Sequence, residues 1–136
     1  MDAIELARGL AAGMAASLAM TAVEALAWLR WGMMAVFEWQ EMQAVAAKVL
    51  GRRDLGTAIA LHVLFGGVAG IVFVLAVRVA TLAPAVLYGT AYGFTMWVIT
   101  LLIHRRVTGV AARGVGVAVS LVGHLLYGTL LGLWAV

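Results

Sequence analysis

GLAAGMAASLAMTAVEALAWL, residues 9–29, is an apolar run of 21 residues held between Arg8 and Arg30, with one ionisable side chain, Glu24. As a helix rising 1.5 Å per residue it is roughly 30 Å long, the thickness of bilayer hydrocarbon. The run exceeds a secretory-signal core, and residues 1–8 carry Asp2 and Glu5 against a single Arg, so it reads as a membrane span. Three further runs follow. One covers about 56–77 and is closed by Arg78. The next covers about 84–103, opening at Pro84 and stopping at His104-Arg105-Arg106. The last covers about 114–136.

The rest of the composition agrees with four spans. The chain has 136 residues, 65% hydrophobic and 11% charged, with a mean hydropathy of +1.09. A soluble domain carries about 25% charged residues, so this much apolar surface requires lipid as solvent. A soluble enzyme, a disordered tail and a nucleic-acid-binding module are excluded. With no cysteine there is no disulfide, thiolate metal site or thiol nucleophile. The predicted fold is all-α and membrane-integral, a single domain over residues 1–136 with no enzyme active site.

Residues 33–50, between the first two spans, read as an amphipathic helix on the membrane surface or on a partner. Ala35, Trp39, Met42, Ala46 and Val49 share one helical face, with Glu38, Glu41, Lys48 and Arg52 on another. Arg30, Lys48, Arg52, Arg53, Arg105, Arg106 and Arg113 lie on one side of the expected bilayer, and only Arg8 and Arg78 on the other. The positive-inside rule then puts the 1–2 and 3–4 connections in the cytoplasm of a prokaryotic cell, with both termini outside its inner or plasma membrane. Trp28 and Trp31 suit the inner aromatic belt, and Tyr88 and Trp134 the outer one. The short links at 78–83 and 104–113 make consecutive spans antiparallel neighbours.

The spans repeat in pairs. The first carries Gly9, Gly13 and Ser17 at four-residue spacing, and the third carries Gly89 and Gly93. The second reads HVLFGGVAG, placing His62, Gly66 and Gly70 in H-x3-G-x3-G. The fourth reads HLLYGTLLG and repeats the pattern with His124, Gly128 and Gly132. Two hairpins related by a pseudo-two-fold axis along the membrane normal are expected. The small-residue faces let helix backbones approach closely, or seat a lipid, a cofactor or another subunit. The order AASLAMT, LHVLFGGVAG, YGTAYGFTMWV, SLVGHLLYGTLLGLW resembles a family of small four-span prokaryotic membrane proteins catalogued as a domain of unknown function. That resemblance implies the four-span fold and no activity.

Ionisable groups inside hydrocarbon are functional candidates. Glu24 and His62 fall at similar depth in neighbouring spans, as a mutually satisfied pair or a proton-exchanging site. His62 and His124 are alternatively axial ligands of a b-type haem, or part of a metal site with Glu24, although no metal is expected. His104 falls at the boundary and is expected to be wet. The function expected first is a non-catalytic accessory subunit, packed with bound lipids against a larger membrane complex such as a respiratory electron-transfer assembly. The alternative is a small proton-coupled transporter or channel using Glu24 and His62.

Overall fold

A computed structural model describes residues 3–134, so residues 135–136 of the expected fourth span, and Met1 and Asp2, lie outside the described residues. The chain forms α1 (Ala3–Trp31), α2 (Phe37–Leu50), α3 (Leu55–Ala76), α4 (Leu82–Thr108) and α5 (Val115–Trp134), with one 3-10 turn at Met33–Ala35. All but α2 are long and apolar enough to cross a membrane. The protein is an all-α, multi-pass membrane protein whose outer surface contacts lipid. Trp28 and Trp31 at the end of α1 are exposed, as are Tyr88 and Trp134.

Local chemistry sets the breaks. Gly32 ends α1 at φ +76°, a left-handed conformation that costs other residues strain, and the chain turns there into α2. Asp54 caps α3 by accepting from the Thr57 backbone N–H at 2.8 Å and its hydroxyl at 2.9 Å. The bond from the Thr57 N–H, more than nearby Arg52, holds the Asp54 carboxyl below its usual range.

Two helix pairs pack most closely, α1 on α3 and α4 on α5. In both, glycines put backbone against backbone in the same register. Gly9 faces Gly70 and Gly13 faces Gly66, while Gly89 faces Gly132 and Gly93 faces Gly128. A Cβ at Gly13 would run into the Gly66 carbonyl, and one at Gly93 into the His124 carbonyl. Backbone cannot yield as a side-chain tip can. Gly13→Ala is therefore expected to destabilise the protein by about 1–3 kcal/mol, measured by denaturant titration in detergent.

The pairs join through α1 and α5, where Ala12, Ala16 and Met20 pack with Phe73, Tyr127 and Leu131. Full two-fold symmetry would give α3 and α4 an equivalent contact, and none as extensive forms. The expectation that all consecutive spans are close neighbours is corrected here. Between α3 and α4 the principal links are the Tyr92 hydroxyl donating to the Ala69 carbonyl at 2.9 Å and the Phe73 and Tyr92 rings at 5.4 Å. The remaining gap is a cleft, capped at one end by α2, which contacts both α3 and α4. The helix present in only one half of the repeat occupies the place where the symmetry breaks.

The expected faces of α2 need correcting too. Trp39 and Ala46 are buried, but so are Glu38 and Glu41, whereas Val49 is exposed. The helix turns its carboxyls into the bundle, where they meet histidines and a serine of α4 and α5.

Candidate functional site

Trp39 anchors α2. Only 2% exposed, it packs at a tilt against Trp28 with ring centres 6.1 Å apart, and its indole N–H donates to Glu24 Oε2 at 2.7 Å. That bond joins α2 to the carboxyl buried in α1. Two residues earlier, Phe37 lies with its ring centre 4.4 Å from that of His104. The Gln40 amide donates to the Met33 carbonyl at 2.8 Å and ties α2 to the turn before it.

With α2 fixed, its two acids reach opposite helices. Glu38 accepts from the Ser120 hydroxyl of α5, and its Oε1 lies 3.4 Å from His124 Nδ1. Glu41 Oε1 sits 2.9 Å from His104 Nδ1 on α4. His124 Nδ1 also lies 2.9 Å from the Ser120 carbonyl. A carbonyl only accepts, so this nitrogen carries the proton in the neutral ring, and Nε2 accepts from the Thr100 hydroxyl at 3.4 Å. On the α1 side, Glu24 Oε2 is 3.5 Å from His62 Nε2, and the Ser17 hydroxyl donates to the His62 carbonyl at 3.2 Å.

The structure thus brings Glu24 and His62 together, and joins them to a larger set. All three histidines of the chain and three of its four glutamates lie buried in one region. Glu38 is its hub, within electrostatic reach of Glu24, Glu41, His62 and His104. His104, expected to be wet, is fully buried; α2 covers it with Phe37 and Glu41. His62 Nε2 and His104 Nε2 are buried with no hydrogen-bond partner, and Glu24 Oε1 and Glu38 Oε2 meet no donor unless one of the two carboxyls, which lie within hydrogen-bonding reach of each other, is protonated.

The cluster forms the floor and inner wall of the cleft between α3 and α4, whose volume is about 500 Å³. Glu38, Glu41, His62 and His124 line it together with Tyr92 and Tyr127. Its rim is made by Phe65, Val68 and Val72 of α3 and by Ile99 and Ile103 of α4, all exposed on the outer surface. Lined this way, the mouth faces hydrocarbon. A second groove, of about 510 Å³, lies outside the bundle between α2 and the end of α4 and contains no member of the cluster.

Glu41 titrates unusually. Burial, and secondly the charge of Glu38, raise its carboxyl to about 8. Its folded value lies above the unfolded one, so the folded state holds a proton that the unfolded chain has lost. Stability should therefore be highest at and below the ordinary carboxyl range and fall as pH rises from about 4.5 to about 8. Thermal unfolding in detergent at pH 5.5 and 8.5 checks this, with a drop on the order of a few kcal/mol in the native protein. Glu41→Gln should flatten that dependence.

His62 and His124, the pair expected as alternative haem ligands, sit in different surroundings. Both ring nitrogens of His124 are engaged, by Ser120 and Thr100, whereas Nε2 of His62 lies 3.5 Å from Glu24 Oε2 and makes no hydrogen bond. Among the described residues no three acidic or imidazole side chains converge as a metal-holding group. Comparison with protein-family models, with curated proteins and with solved structures found no match.

Proposed function

We propose that this protein is a small proton-coupled transporter whose exchange site is the Glu38-centred cluster at the floor of the α3–α4 cleft. One observation carries the reading. Titratable groups from all five helices meet beside a cavity that opens on the bilayer. Buried charge without a fixed counter-charge is expensive, and among the described residues no Lys or Arg lines the cleft. Groups in that position gain and lose protons when a substrate or the opposite compartment changes their surroundings. A purely structural bundle has no need of two carboxyls held side by side in its interior. The helix-pair symmetry supports the reading as well, since two rigid glycine-packed pairs can rock about the α1–α5 contact.

The orientation inferred from charge places α2 and the 104–113 connection at the cytoplasmic face of a prokaryotic inner or plasma membrane. The native chain has no cysteine, so single-cysteine variants report it directly. Arg52→Cys and Arg106→Cys should react with an impermeant maleimide only after the cells are opened. Labelling of both in intact cells would reverse the topology.

The transport reading is tested in liposomes loaded with a pH-sensitive dye and acidified inside. Organic cations, neutral lipophiles and carboxylates are added outside in turn. At least one class should drive proton movement that empty liposomes lack. If no class does so, and no proton leak exceeds that of empty liposomes, transport is refuted.

A second reading, an accessory subunit of a larger membrane complex, draws on α4. Only 17% of its spanning stretch is buried inside the chain, which leaves a long apolar face for lipid or a partner's helix. Mass spectrometry of material purified in mild detergent would then find stoichiometric larger subunits.

A further inference from the structure

Resting on the transport reading, we infer that the cleft takes a lipophilic organic cation, which enters sideways from the bilayer between α3 and α4 and is held at Glu38. Three features select this class. The walls near the mouth are apolar, from Phe65 and Val72 on α3 to Met96 and Ile103 on α4, so a water-loving ligand gains nothing by entering. The cleft volume of about 500 Å³ falls within the roughly 300–1,000 Å³ typical of small-molecule sites.

The floor supplies the third feature, the sign of charge. Glu38 is 4% exposed and lines the cleft, and the one donor within reach of its Oε2 is the Glu24 carboxyl when that is protonated. The titratable groups around it are Glu24 from α1, Glu41 from its own helix, His62 from α3, His104 from α4 and His124 from α5. None is a permanent cation. An anionic ligand would meet carboxyls there with no Lys or Arg to receive it, and a neutral one would bring no charge to balance a carboxylate.

Binding and protonation are then alternatives at one site. The cation arrives, one proton leaves the cluster for water, and the carboxylate left behind pairs with the bound charge. Net charge in the cleft is conserved, so hydrocarbon never surrounds an unpaired ion. Exit of the cation to the opposite side returns the proton, which is the coupling that transport requires.

Calorimetry on the purified full chain in detergent tests this with tetraphenylphosphonium as the probe and triphenylphosphine oxide as its neutral counterpart. Titrations in two buffers of different ionisation enthalpy count the protons released. The expected result is saturable binding of the cation with close to one proton released, at least tenfold tighter at pH 8 than at pH 5.5. Triphenylphosphine oxide should bind at least tenfold more weakly, and Glu38→Gln should lose at least tenfold in cation affinity. Ile99→Trp, which narrows the cleft wall away from the cluster, should block binding even if the Glu38 variant fails to fold. Equal binding of the neutral compound, or cation binding indifferent to both variants, would overturn the inference. Binding is measured at equilibrium, without a membrane gradient. Cation binding with proton release but no flux in liposomes would sink the transport reading alone, and proton-coupled flux of another class without cation binding would sink only the cation.

Discussion

In Glu38→Gln the proton-coupled flux of reconstituted protein is expected to fall at least tenfold while the fold survives. Glutamine keeps the carbonyl oxygen that accepts from Ser120, so stability should move by no more than about 1 kcal/mol. What it loses is the carboxylate charge, at the position that Glu24, Glu41, His62 and His104 all feel. Flux in dye-loaded liposomes, read beside thermal unfolding in detergent, separates the two effects. A variant with native flux would remove Glu38 from the exchange site. Ser120→Ala makes an informative companion, since it leaves the carboxyl in place beside His124 but removes its hydrogen bond from the Ser120 hydroxyl. Its flux should fall less than that of Glu38→Gln.

The largest loss of stability is expected from Trp39→Ala. Trp39 is the largest fully buried side chain, packed with Ala27, Ala35, Val36 and Val119 where α1, α2 and α5 meet. Truncating a buried aromatic costs about 3–5 kcal/mol. The same change strips Glu24 Oε2 of its hydrogen bond, in a carboxyl whose other oxygen already lacks one. The α2 helix should loosen from the bundle and open the floor of the cleft. Denaturant titration would show the loss, and modification of His62 and His104 by diethylpyrocarbonate would speed up together with it. Trp39→Phe should restore most of the packing but not the bond, and so separates the two contributions.

The spans and the glycine register could be read from the sequence because both are written in local periodicity. Hydrophobic length marks the helices, and a glycine every fourth residue marks a helix face. Glu24 and His62 stood out because a charge inside an apolar run is conspicuous. Glu38 and Glu41 did not, since acids on a short connecting helix face water by default, and only tertiary placement turns them inward. Their three-residue spacing puts both on one face of α2, away from Trp39, and nothing local marks that face as buried. His104 was missed for the same reason, because what buries it is α2. The cleft itself leaves no mark in the sequence. It comes from α2 contacting both α3 and α4 where the repeat alone would bring those helices together.

The most direct test follows the proton. Native protein and Glu38→Gln are reconstituted in liposomes that hold a pH-sensitive dye and are acidified inside, and the internal pH is recorded as tetraphenylphosphonium is added outside. One cation entering for each proton leaving is electroneutral, so a proton-exchanging cluster predicts a saturating alkalinisation in the native liposomes that is at least tenfold slower in Glu38→Gln. Equal rates from native protein, variant and empty liposomes would contradict it.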